Sequence, residues 1–381
     1  MTRPLQAIVK LDAIVSNYRQ AKTLAGGAVV AVIKANGYGH GLVNVGLHLS
    51  PHVDALAVAT LEEAIELRTA NVPGRLLVLE GVFDAEALAT ANRLDLDLVV
   101  HSDYQVALLQ EYQPNAGDST LNLWLKIDTG MGRLGFSPDR AAQQYKELFS
   151  LDMVKSVILT SHFACADEPD REENAQQLAS FDRAVNAVEK LLKDLPGAEG
   201  EAFALQQSIA NSAAILALPA AHRHWNRAGI MLYGSDPVVR GVDRPAETQS
   251  LACSMTLQSR LIAVRSVHKG ESIGYGADFH FEEDGRYGIV ACGYGDGYPR
   301  HAGTGTPVMV GGVRTRLIGR VSMDMLAVDL SKVPHAEVGT EVELWGNEIS
   351  ISEVADCAGT IPYELFTGLT QRVPRVYLPA E

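Results

Sequence analysis

A run of small and β-branched residues, AVVAVIKANGYGHG (28–41), ends on a single lysine, Lys34, and then breaks into glycines around Tyr38 and His40. A primary amine at the end of an apolar strand is a nucleophile suited to a Schiff base. The small residues on either side leave room for a bulky ligand. LKIDTGMGRLGF (125–136) adds Lys126, Asp128 and Arg133, and His162 closes another apolar run, SVILTSHF (156–163). ANSAA (210–214) opens a helix with Asn211 and Ser212, and NRAGIMLYG (226–234) carries Arg227 and Gly229. Helix starts attract anions, because their first N–H groups have no intrahelical acceptor. Each residue alone has an ordinary structural use. Lys34 could be a solvated rim residue, Lys126 and Asp128 a rim ion pair, and His162 a hydrogen-bonded structural histidine. Likewise ANSAA could be a plain N-cap, and Arg227 the partner of a carboxylate.

The elements around them decide whether these residues meet. From residue 28 short apolar runs alternate with stretches of helical period. The runs span 28–35, 53–59, 75–81, 96–102, 121–128, 156–163, 202–208 and 226–234. Helical candidates between them include LEEAIELRTA, DAEALATANRL, DYQVALLQEY, DRAAQQYKELF and AQQLASFDRAVNAVEKLLKDL. Such alternation predicts a parallel sheet, and eight strands in about 200 residues fit a (β/α)8 barrel. An open doubly wound sheet is the alternative, but no G-x-G-x-x-G follows the first strand. Beyond about residue 240 period-two segments take over (SMTLQSRLIAVRSV, YGIVACGYGDGY, TPVMVGGVRTRLIGRVSMDMLAVDL, TEVELWG). The fold class is therefore α/β: an N-terminal (β/α)8 barrel over 11–240, then a mostly β domain over 241–381. The junction is expected near PAETQS, and the β-like opening, residues 1–10, is expected to join the β domain.

In such a barrel chemistry sits at the C-terminal ends of the strands. Lys34, Lys126, Arg133, His162, Ser212, Arg227 and Gly229 would then share one mouth. An amine on one side and an anion site after the seventh and eighth strands suit a phosphorylated aromatic aldehyde, pyridoxal 5′-phosphate.

The 381 residues carry a formal charge of −14, which argues against nucleic acid or an anionic membrane surface as partner. No stretch approaches the ~20 apolar residues of a membrane span, and the opening lacks an apolar signal core. Cys165, Cys253, Cys292 and Cys357 follow no metal-ligand spacing. These features lead to the expectation of a cytoplasmic protein without a metal.

In order along the chain, AVIKANGYGHG, LKIDTGMGRLGF, SHFACAD, ANSAA, RAGIMLYG, GYGADF, GYGDGYPRH, GRVSMDML and TIPYE resemble the motif set of the bacterial alanine racemases. The resemblance runs from QAIVKLD to QRVPRVY. It departs from the family's K-A-N-A-Y-G-H-G and R-P-G at Gly37 and Ala228. It implies a pyridoxal-phosphate-dependent isomerase of fold type III that is a head-to-tail homodimer with shared active sites. Lys34 resembles the lysine that holds the cofactor as a Schiff base. Tyr38, Ser212, Gly229, Ile230 and Tyr363 resemble the phosphate-binding set. Arg227 matches the arginine facing the pyridine nitrogen, and His162 the histidine beside the ring. Arg133, with the Met323 backbone of the second chain, resembles the substrate carboxylate site. Lys126 matches a lysine that is carbamylated in many members. Tyr275 matches the second catalytic base, contributed across the dimer interface. Tyr294, Arg300, Arg320 and Asp324 resemble residues of the entry channel.

The implied reaction interconverts L- and D-alanine by a two-base mechanism, supplying D-alanine for peptidoglycan precursors or degrading it. A phenol titrates near ~10, so Tyr275 as a base needs positive charge nearby, expected from His162 and Arg227. A racemase for serine or for many side chains is an alternative substrate reading. A fold-related decarboxylase would need a glycine-triplet phosphate loop and an interface cysteine. A non-catalytic pyridoxal-phosphate carrier would be shorter and lack the β domain.

Overall fold

A computed structural model of the chain describes residues 3–114, 120–194, 204–239, 241–242 and 248–378. Each apolar run forms a strand: β2 (Ala28–Val32), β3 (Ala55–Val58), β4 (Leu76–Val78), β5 (Asp97–Val100), β6 (Leu121–Lys126), β7 (Val154–Thr160), β8 (Gln207–Ser208) and β9 (Trp225–Ala228). Their residues are nearly all buried, as expected of parallel strands sheathed by helices. The eight close into a barrel, β2 pairing with β9 at Val30 and Arg227. The open-sheet alternative is thereby excluded.

Strand ends pass directly into capped helices. Thr60, Ser102 and Asp84 accept from the N–H groups of Glu63, Gln105 and Ala87 at the starts of Leu61–Thr69, Asp103–Glu111 and Ala85–Arg93. Ala141–Phe149 and the long Glu172–Lys193 complete the predicted helices. Leu11–Ala25 and Leu42–Leu49 were not singled out in the sequence.

The lower end of the barrel is plugged. Trp124 Nε1–H and Arg75 Nε–H donate to buried Asp97 at 2.8 and 2.6 Å, and the Arg75 guanidinium lies 4.7 Å over the Trp225 ring. These residues sit toward the strand starts, so the barrel interior opens upward, at the strand ends.

Eight of the remaining strands form one sheet in the order β13-β16-β15-β14-β17-β10-β1-β18. They are β1 (Gln6–Val9), β10 (Met255–Val267), β13 (Gly285–Val290), β14 (Pro307–Val310), β15 (Val313–Ile318), β16 (Leu326–Asp329), β17 (Glu341–Trp345) and β18 (Arg375–Tyr377). The opening strand β1 runs antiparallel to β10 and parallel to β18. A hairpin of β11 (Ser272–Ile273) and β12 (Phe279–His280) carries Tyr275. Pro362 starts the short helix Pro362–Gly368 and so places Tyr363 in its first turn. Residues 245–247 of the expected junction lie outside the described residues.

Candidate active site

Lys34 follows β2 by two residues and begins a turn unusual for L-residues. Ala35, Asn36, Gly37 and Tyr38 have φ of 53, 56, 60 and 49°. Left-handed backbone costs a non-glycine residue roughly 1–2 kcal/mol, so neighbours must hold this turn. Gly37 N–H donates to Ile33 O at 2.9 Å and Gly41 N–H to Asn36 O at 2.9 Å. The β domain grips the far end: Arg375 Nε–H donates to Gly39 O at 3.0 Å and the Tyr377 hydroxyl to His40 O at 3.0 Å. Buried His40 donates through Nδ1 to Tyr38 O at 2.8 Å, with Nε2 2.8 Å from the Ser254 hydroxyl. Gly39 is obligatory here, since a Cβ would lie 2.0 Å from Phe366 O.

Across the mouth, Arg227 on β9 is buried and fixed. Its Nη1 donates to Thr160 Oγ1 at 3.0 Å and Ser208 Oγ at 2.5 Å. Its Nη2 donates to Ser161 O at 2.5 Å, Ile209 O at 3.3 Å and His162 Nδ1 at 3.3 Å. Nε–H alone has no partner among the described residues. Burial pushes the guanidinium down to about 10, which still leaves it charged at neutral pH. An arginine always donates, so His162 Nδ1 must be the acceptor and its proton sits on Nε2. Burial, then the charges of Arg227 and Lys126, hold His162 well below its ordinary range. His162 is thus neutral. This corrects the expectation that it adds positive charge beside Arg227.

Lys126 ends β6. It does not pair with Asp128 among the described residues; Asp128 instead accepts from Gly130 N–H at 3.0 Å and Gly132 N–H at 3.1 Å, shaping the loop that carries Arg133. Burial first, then Arg227 and Arg133, brings Lys126 down to about 8. Burial and Arg133 likewise lower Lys34.

Ser212 and the loop after β9 form a third side. Ser212 Oγ accepts from Gly229 N–H at 2.8 Å and Met231 N–H at 3.5 Å, so its own proton is left to donate outward. Ala214 N–H is taken by Asn211 Oδ1 at 3.0 Å. The N–H groups of Gly229 and Ala214, expected to face an anion, are therefore already used. Ser212, Ala213 and Ile230 N–H, at the starts of their turns, have no intrahelical acceptor. A Cβ on Gly229 would come within 2.8 Å of the Tyr38 hydroxyl, so the missing side chain keeps this corner open. Tyr38 stacks on Tyr233 at 4.7 Å and meets Tyr363 at 6.1 Å. Burial raises both phenols, Tyr363 to about 12, so both remain protonated donors.

These residues line one cavity of about 510 Å³, within the usual size of a cofactor pocket. Lys34, Tyr38, Lys126, Arg133, His162, Ser212, Arg227, Gly229, Ile230 and Tyr363 all contribute to its wall. Among the described residues its wall carries four basic side chains, two of them arginines, against the one carboxylate of Glu80, which suits it to anions. Six other predicted site residues lie elsewhere in the chain. Tyr275 is 69 % exposed and Met323 52 % exposed, both on the β domain. Tyr294 and Arg300 are exposed, Arg320 pairs with Asp278, and Asp324 is held by Arg372 Nη2 at 2.5 Å. Thr160, Trp124, Glu80 and Thr367 line the cavity without having been singled out, and Ser208 supports Arg227 from below. A hydroxyl residue interrupting an apolar strand end is the one trace that Thr160 and Ser208 leave in the sequence. None of the four cysteines lines the cavity.

The chain resembles known proteins over its full length. Residues 9–237 match the family model "Alanine racemase, N-terminal domain", and residues 254–377 match "Alanine racemase, C-terminal domain". An alanine racemase of Pseudomonas taetrolens is 46 % identical over 376 residues, covering 99 % of each chain. A catabolic alanine racemase of Pseudomonas putida is 45 % identical over 376 residues, again 99 % of each. The crystal structure of the biosynthetic alanine racemase from Pseudomonas aeruginosa superposes with a TM-score of 0.87 at 47 % identity, covering 99 % of this chain and 100 % of that one. Barrel, β domain and both family models coincide over nearly every residue, and the chain belongs to the alanine racemase family.

Proposed function

We propose that this chain interconverts L- and D-alanine with pyridoxal 5′-phosphate held on Lys34, in a homodimer whose sites use Tyr275 of the second copy. The observation that carries the reading is the cavity's donor set: an amine whose charged form burial disfavours, sharing one wall with a cradle of protonated hydroxyls. That set fits the group. Ser212, Tyr38 and Tyr363 have hydroxyl protons to give a phosphate, and Gly229 leaves the space for it. When bound, the cofactor supplies the electron sink without which an amino-acid α-proton does not leave at neutral pH.

The chain's own residues do the rest. Burial and Arg133 favour the neutral amine of Lys34, the form that takes a proton. Arg227 keeps its own proton, since all its Nη hydrogens are already donated to fixed acceptors, and so opposes a second positive charge on any group placed against it. That fixed charge of Arg227 would favour return of the proton over slower side reactions. Arg133, exposed where it lines the cavity, would pair with a substrate carboxylate. Trp124 and the plug below it close the cavity to water from beneath.

Tyr275, the second base of this reading, does not line the cavity of the single chain. Tyr275, Met323 and Met325 are large apolar side chains left exposed on the β domain, which suits an interface rather than open solvent. A cytoplasmic location follows from the same reading, and no helix among the described residues is long and apolar enough to cross a membrane. Chirality-resolved turnover over a panel of L-amino acids tests the proposal. Racemisation of alanine above all others is expected. Release of carbon dioxide, or cofactor binding without turnover, would replace it with the decarboxylase or carrier reading.

A further inference from the structure

Ala35 and Ala59 both line the cavity, and one carboxylate outside the cavity holds the backbone of both. Glu63 Oε1 accepts from Ala35 N–H at 2.6 Å and from Asn36 N–H at 3.4 Å, while Oε2 accepts from Ala59 N–H at 2.9 Å. Glu63 stands three residues after the N-cap Thr60, where a glutamate ordinarily turns back to the N–H of its own cap. Here the side chain passes that position over. It takes the N–H one residue further upstream and reaches across to the neighbouring loop.

We propose that Glu63 is a positioning residue for the reaction. It ties the left-handed turn that begins at Lys34 to the end of β3, and so fixes where the amine emerges. The turn needs such a tie. Three of its residues, Ala35, Asn36 and Tyr38, are non-glycine at positive φ, a conformation the free chain avoids. Among the described residues the β domain's hydrogen bonds to this turn fall at its far end, on Gly39 O, His40 O and the His40 ring. At the Lys34 end the first two N–H groups after the lysine go to Glu63. A charged acceptor makes the stronger hydrogen bonds, and its two oxygens serve two separate loops at once. A neutral amide cannot do the same, because one of its two atoms becomes a donor facing an N–H.

The proposal rests on Lys34 being the cofactor-bound amine, and the test separates the two. Borohydride reduction of wild-type holoenzyme followed by peptide mapping examines Lys34 alone; label on another lysine defeats that reading whatever Glu63 does. Glu63→Gln examines the tie. In the holoenzyme kcat for alanine is expected to fall about 10- to 100-fold with little change in KM, because a displaced amine costs orientation more than binding. Amide hydrogen exchange, which does not depend on turnover, should quicken in peptide 28–41 and stay unchanged in 61–69. Thr60→Ala, which removes the helix cap, should do the reverse and spare kcat. Glu63→Asp keeps the charge but shortens the reach by one methylene, and it carries the same test should the glutamine variant not fold. Unchanged kcat, or unchanged exchange in 28–41, overturns the proposal.

Discussion

Lys34 and Lys126 share one cavity, and their surroundings separate their uses. Both are depressed first by burial, but Lys126 also faces Arg227 and Arg133 and comes down to about 8. An amine titrating there has a large neutral fraction near physiological pH and can take up carbon dioxide as a carbamate. With carbon-13 bicarbonate, a carbamate carbon signal is expected in wild-type protein and not in Lys126→Ala. It should weaken as pH falls below about 8, because the protonated amine does not react. A signal that grows on acidification contradicts this. Lys34, by contrast, is expected to take the borohydride-fixed cofactor, recovered on peptide 28–41; recovery on Lys126 would exchange the two roles. These lysines were visible in the sequence because a cation ending an apolar run is out of place. Thr160 and Ser208 were not, since a hydroxyl in a strand is common and carries no spacing. The charge of His162 is hidden in the sequence for a related reason. Whether that ring is protonated depends on Arg227 donating to its Nδ1, a contact 65 residues apart in the chain.

At the scale of elements, the turn over residues 34–41 is both the most constrained and the most informative. Its glycines were legible, but its hand was not, because Ala35 and Tyr38 are residues that ordinarily continue a right-handed path. Gly37, where the family commonly has alanine, sits at φ 60° with Val45 Cγ2 3.2 Å from a would-be Cβ. Gly37→Ala is expected to lower stability by about 1 kcal/mol and leave the fold intact. Gly39→Ala, driven into Phe366 O, should cost far more. Denaturant midpoints check both, and equal losses would contradict the geometry. The turn also gives stability a pH dependence. Burial pushes His40 from its ordinary 6.5 down to about 4. The unfolded chain therefore takes up a proton that the folded chain refuses, and stability falls as pH drops from about 6.5 to about 4, then levels off. This residue's share is about 3 kcal/mol. Urea unfolding across that interval should steepen with His40 present and flatten in His40→Gln; an unchanged slope would assign the effect elsewhere.

Over the whole molecule, period and length sufficed for the architecture. Eight short apolar runs, most of them alternating with helical stretches, leave little besides a barrel, and the shift to period two marks the second domain. The order of the β strands was not legible, since antiparallel pairing depends on long-range register. β1 lies between β10 and β18 although some 250 residues or more separate it from either. Nor does one chain assemble the proposed site, for Tyr275 is 69 % exposed on a hairpin of the β domain and contributes nothing to the cavity wall. The proposal therefore requires a second copy, and mixing two inactive variants tests that requirement directly. Lys34→Ala and Tyr275→Phe chains should each be almost inactive, because every site in either homodimer lacks a base. Co-refolded at equal amounts, they form mixed dimers in which one site lacks both bases and the other lacks neither. Random mixing then restores roughly a quarter of wild-type activity, as closed two-fold symmetry requires. A mixture shown to contain mixed dimers that stays inactive would contradict the shared site, since two bases from one chain can never be reunited by exchange of subunits.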